Sequence, residues 1–355
     1  MVTHSSPLVT HEAVYNFHDD ASGVKAIIAV HSSALGPAAG GCRVLRYAND
    51  VDAMRDALRL SEGMTYKNAL AGLPFGGGKS VIMLPENAGR PDFDRAAMFE
   101  SFGRWVDSLS GAYVTAEDVG CSVQDMQMVS RETGHVAGLP AQPGFAGGDP
   151  SPLTAKGVFL SIEALVGHRL DSDLDGVVVG VQGLGHVGFA LCELLYEAGA
   201  QLLVSDINAQ TTAVAARLFG ATVVKPEKML DSAMDVFAPC ALGAILTERT
   251  VAELKASIVC GAANNQLATA AQGQQLADRQ VLYAPDYLVN AGGIINVAAE
   301  YLRETHDSVE TRVAQIPTRL MKLVQRSEAE GTAMNVLADR MAQDIVSAGR
   351  RSQVA

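Results

Sequence analysis

The chain has 355 residues, 48% of them hydrophobic and 19% charged, which excludes an intrinsically disordered protein and leaves room for two domains. Lys and Arg number 27 against 39 Asp and Glu, a formal net charge of −12, so the overall balance argues against a nucleic-acid partner, whose footprint is basic. No run of about 20 apolar residues is present, which argues against a membrane span, and the opening stretch MVTHSSPLVTHEAVYNFHDD lacks the basic and apolar regions of a secretory signal.

In chain order, VKAIIAV (24–30) predicts a buried strand. Residues 50–63 carry Val51, Met54, Ala57, Leu58 and Leu60 near a helical period, with Asp50 as the expected N-cap. SVIMLP (80–85) predicts a strand ending at proline, and 94–109 and 122–133 predict helices. PGFAGGDPSP (143–152) is rich in Gly and Pro without an apolar period, so it is the expected linker, separating residues 1–150 from the rest of the chain. KGVFLSIEALVGHRL then predicts a long helix. From 175 the pattern alternates strand, turn, helix and strand, which implies a parallel sheet and an α/β fold. Further short strands are expected at ATVV, MDVFAP, ASIVCGA and VLYAP. Val309, Val313, Ile316, Leu320 and Leu323 predict an amphipathic helix that packs back on another part of the protein.

Five cysteines, an odd number without a CxxC pair, argue against a disulfide framework or zinc site and favour a reducing cytoplasm. The eight histidines show no ligand spacing, so no metal is expected.

Gly183, Gly185 and Gly188 fit G-x-G-x-x-G. The motif follows an apolar strand, opens a helix, and is followed 18 residues later by Asp206 at the end of the next strand. Each part has a mechanism: a tight turn at Gly183, backbone approach to a pyrophosphate at Gly185, and close helix–strand packing at Gly188. Asp206 can accept from ribose hydroxyls and would repel a 2′-phosphate, so NAD is expected rather than NADP. The alternative is a glycine turn that binds nothing.

GLPFGGGKS (72–80) is not a P-loop, because Leu73 stands where Walker A requires glycine and the following residues read as a strand. Gly76–Gly78 are expected to bring backbone close to a ligand and to hold Lys79 in place. Lys67 lies twelve residues upstream. One lysine of such a pair can bind a carboxylate while the other, desolvated, serves as a general base. Asp118, at the end of the expected strand GAYVTA, supplies a carboxylate where α/β proteins place their sites. For each lysine the competing reading is a solvated surface charge.

The motifs LGPAAGGCR (35–43), GMTYKNALAGLPFGGGKSVI (63–82), YVTAEDVG (113–120), VQGLGHVG (181–188), DVFAPCALGAIL (235–246), GAANNQL (261–267) and YAPDYLVNAGGIINV (283–297) resemble those of the amino acid dehydrogenases. The likeness is to the leucine, valine and phenylalanine enzymes, relatives of glutamate dehydrogenase, and it covers roughly residues 20 to 300. It implies two α/β domains with a cleft: a substrate-binding, dimerisation domain over 1–150, completed by C-terminal helices from about 320 to 355, and a Rossmann NAD domain over 151–319. The implied reaction is reversible oxidative deamination of an L-amino acid to a 2-oxo acid and ammonia, in a homo-oligomer. By motif position, Lys67 would hold the substrate carboxylate with the backbone near Gly41. Lys79 would activate water on the imino acid, and Asp118 would exchange protons with the amino group. Asn290 would contact substrate, while Asn264 and Thr154 would lie by the nicotinamide. Cofactor contacts are implied for the turn Gly183, Leu184, Gly185, His186, Val187 and Gly188, for Asp206, and for Ala238, Pro239 and Cys240.

The resemblance also suggests a side-chain pocket of Ala39, Ala116, Ile294 and Val297. All four are apolar, so a hydrophobic amino acid is expected, since a buried unpaired glutamate carboxylate would be strongly disfavoured. The small Ala39 opens room for an aromatic side chain, whereas TAEDVG is closer to the leucine and valine enzymes. Leucine, valine, phenylalanine and tryptophan remain open. Two rivals stand beside this reading: a 2-hydroxy-acid dehydrogenase, which would need a His–carboxylate pair, and a non-catalytic NAD-binding homologue.

Overall fold

The computed structural model describes residues 2–5, 10–19, 23–91 and 93–354. The chain divides into two compact units. The first comprises 1–148, 297–306 and 342–355; the second comprises 149–296 and 307–341.

The first unit builds β1 (Val2–Ser5), β2 (Ala13–Asp19), β3 (Val24–Ser32), β4 (Ala38–Leu45), α1 (Asp50–Ala71), β5 (Gly76–Met83), α2 (Arg95–Ser108), β6 (Tyr113–Glu117) and α3 (Val123–Val129). Its sheet runs β1-β2-β3-β5-β4-β6. The strands from β1 to β5 pair antiparallel, whereas β4 runs parallel to both β5 and β6. The predicted strand at 24–30 is therefore interior, between β2 and β5. Its side chains alternate: Ile27 and Ala29 pack with Ala53 and Ala57 of α1 on one face. Ala26 and Ile28 meet Met98, Phe99 and Phe102 of α2 and Met126 of α3 on the other.

Asn49, not Asp50, caps α1, its side chain accepting from the Asp52 N–H. Ser122 and Asp125 form a capping box on α3, which ends at Val129. The predicted strand at 80–85 begins earlier, since Gly76–Gly78 open strand β5. A Cβ on Gly77 would stand 2.0 Å from Thr65 Oγ1, and one on Gly78 would stand 2.7 Å from the Tyr113 ring. Glycine is needed there because α1 and an aromatic ring press directly on the strand.

The second unit builds α4 (Ser151–Leu170), β7 (Val178–Gln182), α5 (His186–Glu197), β8 (Gln201–Ser205), α6 (Ala209–Phe219), β9 (Thr222–Val223), β10 (Val236–Pro239), α7 (Glu248–Glu253), β11 (Ile258–Val259), α8 (Ala271–Asp278), β12 (Leu282–Tyr283) and α9 (Asp286–Val289). Its six strands are all parallel, in the order β12-β11-β10-β7-β8-β9. Strand order reverses between β7 and β10, which is where ligands bind in doubly wound sheets.

The last helices are α10 (Gly292–Tyr301), α11 (His306–Val313), α12 (Ile316–Glu330) and α13 (Met334–Val354). The expected single amphipathic helix is thus two, with Pro317 at the start of α12. The expected return of the chain to the first unit from about 320 also differs. α12 packs on α4 and α9 within the second unit, and the final return begins at 342. The cause is local packing: Ile316, Leu320, Leu323 and Val324 are buried, and Ile316 seats against Gly157, where a Cβ would come within 2.9 Å of it. Residues 297–306 also belong with the first unit.

Candidate active site

In the first unit the chemistry gathers on β4, β5 and the turn after β6. Lys79 lies on β5 with its residue only 5% exposed, and its Nζ donates to Asp118 Oδ2 at 2.6 Å. A lysine this buried is stable only beside a counter-charge, because an unpaired ammonium in low dielectric is severely penalised. Burial pushes the Asp118 carboxyl up, but the Lys79 ammonium and the Arg43 guanidinium outweigh it and hold the group below its ordinary value.

Arg43 does not stand out in the sequence. Its Nε donates to the same Asp118 Oδ2 at 3.2 Å, and its Nη1 donates to Asp56 Oδ2 on α1 at 3.1 Å. Asp56 also accepts from Tyr47 Oη at 2.9 Å and from Arg59 Nη2 at 3.0 Å. A signal exists, since strand period 2 places residues 39, 41 and 43 of β4 on one face. Nothing in the sequence points to Asp56. The turn carrying Asp118 is tied by Cys121, whose Sγ accepts from the Asp118 N–H at 3.1 Å and donates to Cys42 O at 3.1 Å.

Gly41 pairs in register with Ala116. A Cβ at 41 would lie 2.8 Å from Glu117 O, so this glycine lets the two strands close around Asp118. Ala39 is buried on β4 and Ala116 half-buried on β6. Lys67 is half-buried on α1. Its neighbour Asn68, fully buried, donates to Gly76 O at 2.6 Å, which fastens that turn of the helix to β5. Asn68 is a second positioning residue that sequence reasoning misses.

In the second unit, the residues of the fingerprint separate by role. Gly183 adopts φ +97°, and a Cβ there would stand 2.7 Å from Ala241 N. A Cβ on Gly188 would stand 1.9 Å from Gly183 O. Gly185, the N-cap of α5, faces open space, which leaves its backbone accessible. That is the expected cradle for a pyrophosphate at a helix N-terminus. Leu184, His186 and Val187 complete the turn and the first residues of α5. Asp206 directly follows β8; its Oδ2 accepts from the Leu184 N–H at 2.6 Å and its Oδ1 from the Asn208 N–H at 2.8 Å. A carboxylate has about four acceptor sites, so capacity remains for ribose hydroxyls. Ala238, Pro239 and Cys240 run along the end of β10 beside β7, and the Cys240 N–H donates to Gln182 O at 2.7 Å.

Asn290 follows α9 and is 3% exposed. Its Nδ2 donates to Asn264 Oδ1 at 2.9 Å and to Ala262 O at 3.0 Å, while its Oδ1 is buried without a partner among the described residues. The two asparagines expected near the reacting groups are therefore bonded to each other, and an orphaned acceptor of this kind is costly unless a ligand uses it. Asp286 holds the neighbouring turn, accepting from the Asn265 N–H at 2.7 Å. Thr154 Oγ1 donates to Pro150 O at 3.0 Å, and a Cβ on Gly293 would lie 2.7 Å from that hydroxyl. Ile294 and Val297 stand three residues apart on α10, both half-buried. Among the described residues no group of three or more His, Cys, Asp or Glu is set to hold a metal, and no helix is long and apolar enough to cross a membrane.

A parallel doubly wound sheet with this glycine turn, in a chain whose other unit carries a buried lysine–aspartate pair, defines a Rossmann-type dehydrogenase. The family described as the Glu/Leu/Phe/Val dehydrogenase dimerisation domain matches residues 10–135, and the Glutamate/Leucine/Phenylalanine/Valine dehydrogenase family matches 203–350. A leucine dehydrogenase of Thermoactinomyces intermedius is 44% identical over 97% of this chain and 93% of its own length. A valine dehydrogenase of Streptomyces virginiae is 44% identical over 96% and 95%. The crystal structure of L-tryptophan dehydrogenase from Nostoc punctiforme matches with a TM-score of 0.86 at 42% identity, covering 96% of this chain and 97% of that one. Glutamate dehydrogenase of Peptoniphilus asaccharolyticus shares the fold, at a TM-score of 0.75 and 20% identity. The chain belongs to the Glu/Leu/Phe/Val dehydrogenase family. It is an amino acid dehydrogenase, an oxidoreductase acting on CH–NH2 donors.

Proposed function

We propose that the protein catalyses the reversible, NAD-dependent oxidative deamination of a hydrophobic L-amino acid to the 2-oxo acid and ammonia. The observation that carries this reading is the pair of buried Lys79 and Asp118 at 2.6 Å, in a chain whose other unit leaves Gly185 open at the N-terminus of α5, which supports a pyrophosphate site there. Lys67, with the backbone at Gly41, binds the substrate carboxylate. Asp118 takes a proton from the substrate amino group, which prepares Cα to release hydride. NAD, when bound, supplies the hydride acceptor. Lys79, free as the amine once its ammonium proton has passed to solvent, takes a proton from the water that attacks the imino carbon; Asp118 returns its proton to the nitrogen, and the C–N bond breaks to ammonia as the carbinolamine hydroxyl gives its proton to solvent and becomes the 2-oxo group. Asn290 orients the substrate, and Asn264 and Thr154 hold the nicotinamide side.

Ala39, Ala116, Ile294 and Val297 offer no cation for a substrate side chain, which supports a hydrophobic one. Leucine and valine are favoured by the relatives; the small side chain of Ala39 and the tryptophan dehydrogenase likeness support an aromatic substrate as the second reading. Asp206 supports NAD over NADP. The dimerisation-domain match supports a homo-oligomer, and five free thiols suit the cytoplasm. The test is NADH absorbance on mixing the protein with NAD and, in turn, L-leucine, L-valine, L-phenylalanine and L-tryptophan at alkaline pH. Turnover with one or more supports the proposal; turnover with none, or with L-glutamate alone, overturns it.

A further inference from the structure

Asp118 Oδ2 receives two cationic donors, Lys79 Nζ at 2.6 Å and Arg43 Nε at 3.2 Å. The two differ in their freedom. Lys79 has a single flexible ammonium. Arg43 is gripped at both ends of its planar fork, by Asp118 on one side and Asp56 on the other, and Asp56 is itself held by Tyr47 and Arg59. Among the described residues, the charged and titratable groups around the Asp118 carboxylate include Lys79 from β5, Arg43 from β4, Tyr47 and Asp56 beyond Arg43, Cys121 in its own turn, and Glu117 next to it in the chain.

In the proposed reaction Lys79 must leave its pairing to work on water. A carboxylate three-quarters enclosed would then lack its nearest charge whenever it stands ionised, before it takes the substrate's proton and after it returns it. We propose that Arg43, anchored from behind by Asp56, is a positioning residue for deamination: a second, non-reacting counter-ion that fixes Asp118 while Lys79 is engaged. Arg43 touches neither substrate nor cofactor in this scheme and acts only through Asp118. The inference rests on the role assigned to Asp118 in the proposed reaction.

The test is the pH profile of kcat and kcat/KM for oxidative deamination in Arg43→Gln, Arg43→Lys and Asp56→Asn, with the affinity for NAD measured alongside. Removing the guanidinium takes away one of the cations that favour the ionised carboxyl, so the acid limb of Arg43→Gln should move to higher pH. The loss in kcat/KM should be roughly tenfold greater at the acidic foot than on the alkaline plateau, with NAD affinity unchanged. Arg43→Lys should return the limb most of the way, because the charge is restored though the fork is not. Asp56→Asn should move it in the same direction by less, and it decides the matter if Arg43→Gln does not fold. A purely structural role would lower the amount of active enzyme and leave the limb in place; superimposable profiles for all the folded variants overturn the proposal. Asp118→Asn separates the two readings. If that variant keeps full turnover, the role given to Asp118 has failed; if it is inactive while the Arg43 and Asp56 profiles are unmoved, only the role given to Arg43 has failed.

Discussion

Gly41 on β4 and Asp118 after β6 face each other so closely that a Cβ on residue 41 would stand 2.8 Å from the Cβ of Asp118. The obstacle is the root of a side chain plus the Glu117 carbonyl, also at 2.8 Å, and neither can swing aside as the tip of a lysine can. Gly41→Ala should therefore displace the Asp118 turn and reduce kcat/KM at least tenfold. Overpacking of this kind costs about 1–3 kcal/mol of stability. Steady-state kinetics with a melting curve checks both, and wild-type kinetics would show that the turn relaxes freely.

Lys79→Ala should lower kcat by roughly 10²–10⁴-fold, the usual contribution of a general base, while NAD still binds. Lys67→Ala should instead raise KM for the amino acid, since the substrate carboxylate loses its cation. The comparison is made in one assay series. Turnover of Lys79→Ala within a few-fold of wild type removes it as the base, and an unchanged KM in Lys67→Ala removes that lysine from the substrate.

Asp118→Asn should remove proton transfer and also destabilise the first unit. Lys79 is 5% exposed, and its charge would be left facing a neutral amide. Breaking one side of a buried pair costs more than the pair contributes, here about 1–3 kcal/mol because the amide oxygen can still accept. Calorimetry and kcat together test this; a variant with unaltered melting and full activity contradicts both parts.

Asp206→Ser should shrink the preference for NAD by admitting NADP. One uncompensated charge contact, partly desolvated, is worth roughly two tenfold steps, so the wild-type preference should be about a hundredfold. The Leu184 N–H also bonds Asp206, so the serine variant should lose some NAD affinity as the turn loosens. The ratio of kcat/KM for the two cofactors in both proteins is the readout. Equal use by the wild type would show that Asp206 does not face the ribose.

Acid should weaken the first unit well before its carboxylates titrate. His11 and His31 lie ring to ring at 4.9 Å, bonded to Ser61 and Thr65 of α1. Burial lowers both below the ordinary 6.5, and for His31 the neighbouring His11 lowers it further. Below pH 6.5 the unfolded chain then binds more protons than the folded one, so stability present above 6.5 is lost as pH falls beneath it. The lowered carboxyls Asp56, Asp118 and Asp125 act in a separate window. Their contribution persists above 3.8 and is lost only as pH falls through their folded values. The unfolding temperature should drop between pH 7 and 5.5, and His31→Gln should flatten that slope. An equal slope in wild type and variant refutes the assignment.

The catalytic neighbourhood is only half legible in the sequence. Lys79 and Asp118 stand out because a lysine after three glycines and a carboxylate at a strand end are local patterns. Asn68, which pins the turn carrying Lys67, looks like any polar helix residue, since its partners on β5 are brought to it by folding. The triple glycine falls outside the strand predicted from Ser80 onward for a related reason. A missing side chain looks the same in a loop and in a strand, and only the pressure of Thr65 and Tyr113 on β5 tells them apart.

The sequence by itself determined the glycine-rich turn of the second unit. Its strand, three glycines and the aspartate after the next strand span 178–206, where the needs of a positive φ, close packing and an open helix N-terminus are all met within one strand–turn–helix–strand unit. The course of the last hundred residues, and the company that Asp118 keeps, were decided by tertiary structure alone. Arg43 and Asp118 are 75 positions apart, and Asp56 reaches them from a helix whose pattern announces only an amphipathic face. α12 stays with the second unit because Gly157 on α4 leaves a seat for Ile316, a fit of shapes that periodicity cannot report. Hydrophobic period specifies which face of an element is buried; it does not specify what that face is buried against.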